Sequence, residues 1–154
     1  MRRICVDACF LIGLCNARDQ YHTAATNYYR KLFEVNRNRM VIPWPILYET
    51  IRTGTVRDPL SMGRLEFHWK QMAGRDLLEL LSDCAYRDQV VQDCFGELRK
   101  PEGHRRNLSA VDRVIRNILA DTSINIDAFL TFNVADFVDV CQRFNKEMLS
   151  SPDE

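Results

Sequence analysis

The chain has 154 residues, with a hydrophobic content of 46% and a charged content of 27%, which fits a single globular domain with a real core. Its 21 basic and 21 acidic residues cancel, which argues against a protein that coats nucleic acid by charge alone. No apolar run approaches the roughly 18–20 residues needed to span a bilayer.

Arg2 and Arg3 precede a short apolar run that Asp7 breaks at once. No signal peptide is read there, and a cytoplasmic protein is expected. The six cysteines form no CxxC pair, so reduced and mostly buried thiols are expected. The three histidines, His22, His68 and His104, stand far apart. None forms the pairs that bind zinc in hydrolases.

In chain order, residues 3–7 read as a short apolar strand ending in an acid. Residues 8–14 read as a short helix or turn with Phe10, Leu11 and Leu14 on one side. From Tyr21 to Glu34 a helical stripe runs through Ala24, Ala25, Tyr28, Leu32 and Phe33. A second strand is expected from Arg39 to Ile42. A helix then runs from Pro45 to about Thr53, with Gly54 as its stop.

Asp58 and Pro59 predict the cap and first turn of another helix, ending near Gly74. Leu77 to Leu81 reads as a third strand, apolar as buried parallel strands tend to be. Tyr86 to Leu98 reads as a helix and residues 99–107 as a polar loop. Ser109 opens a helix to about Ala120, and Asp112 completes a capping box with Asp in place of Glu. A fourth strand is expected over Ile126 to Thr131, then a short helix around residues 135–140 and a last strand within 143–149. Residues 150–154 read as a flexible tail behind a domain of residues 1–149.

Strands alternating with helices predict an α/β fold, a mostly parallel sheet of four to five strands flanked by helices. Ligands of such sheets sit off the carboxyl ends of the strands. Asp7 ends the first strand, and Asn133 and Asp136 follow the fourth. Glu49 and Asp112 lie in helices that can face the same edge. Carboxylates gathered there would suit a hard divalent cation.

Four segments carry a resemblance to the PIN-domain family, and within it to VapC-type ribonuclease toxins. Residues 4–12 resemble the opening strand with its first Asp. Residues 45–54 resemble the helix bearing the Glu. Residues 108–112 resemble the helix start with the second Asp. Residues 129–137 resemble the closing motif, Thr-x-Asn/Asp followed by Asp-Phe. Many members have Asp where this chain has Asn133, and whether Asn133 or Asp136 faces a metal is left open.

The resemblance implies a metal-dependent endoribonuclease hydrolysing RNA phosphodiesters. Asp7, Glu49, Asp112 and Asp136 would be catalytic, and with Asn133 would hold Mg²⁺ or Mn²⁺. No other cofactor is implied. It further implies the toxin of a toxin–antitoxin pair, a homodimer that binds a small antitoxin. Each acid also has a plainer role: Asp7 and Asp112 can cap helices, Glu49 can be a solvated helix acid, and Asp136 can close a turn. Thr131 can bond within the site or finish its strand.

Arg99, Lys100, Arg105 and Arg106 form a basic loop before Asp112, and Arg52, with Arg57, can extend it. Such residues position phosphates without reading bases. Three rivals stay open. The first is a PIN-type scaffold that binds RNA or a partner without efficient cleavage, which Asn133 favours. The second is an RNA-processing PIN nuclease with no antitoxin. The third is a phosphoacceptor domain, disfavoured because Asp7 has no acidic neighbour and no Lys follows Thr131 until Lys146.

Overall fold

The structure is a computed structural model that describes residues 1–150. Five parallel strands form one sheet in the order β3-β2-β1-β4-β5. They are β1 (Arg3–Val6), β2 (Arg39–Pro43), β3 (Leu78–Leu81), β4 (Ala128–Leu130) and β5 (Glu147–Leu149). The chain lays down β1 first, builds β2 and β3 on one side, then crosses to add β4 and β5 on the other. The order therefore reverses beside β1, and a crevice opens between the carboxyl ends of β1 and β4.

The central strands are hydrophobic because both faces are covered. Ile4, Cys5, Val6, Val41, Phe129 and Leu130 are fully buried. Phe129 meets Phe137 edge to face, with centroids 4.9 Å apart. The first helix, α1 (Ala8–Cys15), leaves β1 at Asp7, whose carboxylate caps it through Ala8 N. α2 (His22–Tyr28) packs closely on α1, since a Cβ on Gly13 would lie 3.3 Å from Ala25 Cβ and from Tyr21 O.

Several expectations need correction. The helix expected from Tyr21 to Glu34 is α-helical through Tyr28 and then a π-helix over Tyr29–Val35. The helix after β2, α3 (Trp44–Thr50), ends at Ile51. Gly54 is not its stop but lies inside a separate short helix, α4 (Thr53–Val56). Strand β3 is an edge strand, half-buried rather than fully covered, and its Glu79 takes an ion pair from Arg3.

The capped helices follow expectation. Asp58 caps α5 (Pro59–Gly74) through Leu60 N. Helix α6 (Arg87–Glu97) precedes the polar loop, which contains a short 3₁₀ turn, Glu102–His104. Helix α7 (Ala110–Ala120) carries the full capping box of Ser109 and Asp112. After β4, a 3₁₀ turn (Val134–Asp136) leads into α8 (Val138–Arg143). All six cysteines are free, with Cys5, Cys15 and Cys141 buried, Cys9 and Cys94 half-buried and Cys84 exposed. The expected tail falls largely on residues 151–154, which lie outside the described residues.

Replacing Phe129 with Ala removes a ring that is fully buried between sheet and helices. Chemical denaturation should show Phe129→Ala destabilised by about 3–5 kcal/mol. A loss well under 1 kcal/mol would contradict the packing described.

Candidate active site

The site is built from the end of β1 outward. Asp7 N donates to Leu130 O at 3.0 Å, so the ladder between β1 and β4 runs up to the acid itself. The Asp7 side chain is buried, 8% exposed, and faces the crevice between these strands. Its Oδ1 accepts from Ala8 N at 2.7 Å, and its Oδ2 accepts from Thr131 Oγ1 at 2.6 Å. Cys9 Sγ lies 3.2 Å from the same Oδ2. Thr131, fully buried just past β4, also accepts from Asn133 N at 3.0 Å. It is a positioning residue: it fixes the Asp7 carboxylate and the start of the following loop together.

Asp112 sits in the first turn of α7. Its Oδ2 accepts from Ser109 N at 2.9 Å and Ser109 Oγ at 2.8 Å. Its other oxygen accepts no hydrogen bond among the described residues. Glu49 lies near the end of α3, and among the described residues its carboxylate has neither a hydrogen bond nor an ion pair. Helix α3 packs against both α1 and α7, which is what turns Glu49 toward the two aspartates.

The electrostatics record this convergence. Burial pushes the Glu49 carboxyl up from its ordinary value, and the charges of Asp7 and Asp112 push it further; Arg52 partly opposes them. Burial likewise pushes Asp7 up, with Asp112 adding to it, against the hydrogen bonds from Thr131, Cys9 and Ala8. Cys9 is pushed up to about 12, chiefly by burial and then by Asp7, so it is a neutral thiol. Three carboxylates therefore share one field, and no lysine or arginine pairs with them at salt-bridge distance among the described residues. Oxygen donors without a cationic partner are the donor set that Mg²⁺ and Mn²⁺ take. Among the described residues, no group of three or more Asp, Glu, His or Cys side chains stands arranged to hold a metal ion.

The fourth segment is arranged differently. Asn133 Nδ2 donates to Asp136 Oδ2 at 2.6 Å, so the two residues bind each other. Asn133 is exposed and Asp136 half-buried. Asp136 O accepts from Arg116 Nη1 at 2.6 Å. Neither side chain is among the charges that act on Asp7 or Glu49.

The basic residues are mostly engaged. Lys100 Nζ pairs with Glu97 at 3.1 Å, and Arg105 donates to the main-chain oxygens of Lys100 and Leu98. Arg106 pairs with Asp139 at 3.0 Å. Arg52 and Arg99 are exposed, and their side chains make no hydrogen bond or ion pair among the described residues. The sequence motifs do not single out Cys9, Arg116 or Asp139. Arg116 carries a faint signal, since it lies four residues after Asp112 and so on the same helix face.

Against known structures, the chain is similar to the crystal structure of Mycobacterium tuberculosis VapC20, described as a sarcin-ricin loop cleaving toxin. The TM-score is 0.58 at 17% identity, covering 88% of this chain and 94% of that one. The fold is PIN-like. The PIN-like α/β architecture expected from the four motifs is thus the one found, with a fully parallel five-stranded sheet. No protein-family model matches the chain, and no curated protein matches it by sequence. No helix among the described residues is long and apolar enough to cross a membrane.

Because folding raises the Glu49 value, it disfavours the ionised form. Below the ordinary carboxylate value both folded and unfolded states are protonated and nothing is lost. As pH rises through the ordinary and then the raised value, stability falls. Glu49→Gln should therefore raise the melting temperature at neutral pH in EDTA, by a gain of roughly half a kcal/mol after solvent screening. The gain should vanish near about pH 3.5. A variant less stable than the parent at neutral pH would show that Glu49 is not under this repulsion.

Proposed function

We propose that this chain is a metal-dependent endoribonuclease, the toxin of a toxin–antitoxin pair. The observation that carries the reading is the convergence of Asp7, Glu49 and Asp112 at the carboxyl edge of the sheet, where the charge of Asp112 presses on Asp7 and the charges of both press on Glu49. Such repulsion costs stability and is relieved by a bound cation. The PIN-like fold, shared with a toxin whose description names an RNA loop as its target, supports RNA as the substrate.

Asp7, Glu49 and Asp112 would hold Mg²⁺ or Mn²⁺, with Asn133 and Asp136 at the rim. A divalent ion there supplies charge to polarise a phosphoryl oxygen and acidifies water for attack on phosphorus. The chain's own residues do the positioning. Thr131 holds Asp7 in one orientation, the Ser109 cap holds one oxygen of Asp112 and leaves the other open, and Glu49 is free to turn. Arg52 and Arg99 are exposed to meet phosphates, while Lys100, Arg105 and Arg106 border the same edge.

A small antitoxin and a second copy of the chain are the proposed partners. The apolar groove lined by Trp44, Leu47, Tyr48, Ile51, Trp69 and Leu80 supports them. Trp44, Tyr48, Ile51 and Leu80 are each exposed along it, a contiguous apolar patch of the kind that marks an interaction surface.

Purified protein should cut total RNA with Mg²⁺ or Mn²⁺ and not with EDTA. Asp7→Asn should lose about a hundredfold or more of that activity, because several kcal/mol of charge stabilisation depend on the site. Circular dichroism should show the variant folded. Full activity in Asp7→Asn would sink the reading. RNA binding without cutting under any metal would point instead to a binding scaffold.

A further inference from the structure

Two arginines near the acid site close on a single carboxylate. Arg116 Nη1 and Nη2 donate to Asp139 Oδ1 and Oδ2 at 2.8 and 2.7 Å. Arg106 reaches the same group from the basic loop, with Nη1 3.0 Å from Oδ2 and Nη2 3.5 Å from Oδ1. Arg116 Nη1 also donates to Asp136 O at 2.6 Å, which fixes this cluster beside the loop that follows β4.

Asp139 receives both guanidinium groups, and the Asp136 carboxylate also acts on Arg116, so acids and bases match in number while both forks converge on Asp139 alone. Next door, Glu97 likewise receives two basic side chains, Lys100 and Arg113. Asp139 and Arg106 are 49% and 42% exposed, while Arg116 is 18% exposed. Exposed ion pairs add little to stability. Ordering two long side chains around one surface acid also costs conformational entropy. What the arrangement does achieve is a pair of guanidinium forks aimed at one point, the geometry that suits the oxygens of a phosphate.

We propose that Arg106 and Arg116 form a phosphate-binding fork for the RNA strand, held in register by Asp139 until a phosphate of the RNA displaces it. This rests on the reading of the chain as an RNA-acting enzyme, because the phosphate is taken to belong to that substrate. Arg116 lies one turn after Asp112 on α7, so the fork holds the strand near the acids without touching the reacting atoms. Asp139 is a competitor carried by the protein: it keeps the arginines in place and sets a threshold on binding.

The test uses the full-length protein and a fluorescent single-stranded RNA oligonucleotide of mixed sequence. Anisotropy is measured in EDTA across a salt series, so that cleavage plays no part. Arg116→Gln and Arg106→Gln should each weaken binding several-fold and make the salt dependence shallower by roughly 0.7 for each phosphate no longer neutralised. Arg116→Lys should lose affinity while keeping the salt slope. Asp139→Asn should bind several-fold more tightly than the parent. Arg106 lies on an exposed loop, so its variant serves if Arg116→Gln fails to fold. Weaker binding by Asp139→Asn, unchanged binding by the arginine variants, or no binding by the parent would overturn the proposal. RNA binding that follows the expected pattern without any metal-dependent cleavage would leave the fork in place and overturn the nuclease reading. Cleavage with unchanged binding would do the reverse.

Discussion

Asp7 is a carboxylate held almost out of water at the end of the central strand, and such burial is costly unless donors surround the group. The donors come from three places: Ala8 in the turn into α1, Cys9 one residue on, and Thr131 from the neighbouring strand end. The Thr131 bond is the one that reaches across the sheet. It spans the point where strand order reverses, so the position of the acid depends on β1 and β4 being in register. The ladder supplies that register, with Val6 opposite Leu130.

The other acids are placed with the same economy of parts. Asp112 caps its own helix and at the same time offers an oxygen to the crevice, so its plain structural role and its proposed functional one are compatible. Glu49 differs, because nothing in the described residues pairs with it and two like charges press on it. A fold does not gain stability from such a residue. The proposed cation would relieve this repulsion, in a sheet whose core is otherwise continuous and apolar.

Much of this was legible in the sequence because the signals were local. Asp58-Pro59 and Ser109 with Asp112 announce helix starts through short-range capping chemistry, and both caps form. The strands around Val6, Val41 and Phe129 declare themselves by burial on both faces. What was not legible depended on tertiary partners. The spacing of Tyr28, Tyr29, Leu32 and Phe33 suits an α- or a π-turn equally, so periodicity did not reveal the π-helix. Gly54 looks like a stop, yet the chain re-enters a helix around it. Glu79 in an apolar strand marked an edge that pairs with Arg3. The Arg106–Asp139–Arg116 cluster joins residues far apart in the chain, and no short-range pattern announces it.

The central claim is that Asp7, Glu49 and Asp112 act on one cation, and Mn²⁺ binding followed by electron paramagnetic resonance tests it most directly. Asp7→Asn and Asp112→Asn should each weaken Mn²⁺ binding. The double variant should lose little more than the weaker single, because residues that share one ion are coupled rather than additive. Unchanged Mn²⁺ affinity in both single variants, or losses that simply add, would contradict a shared site.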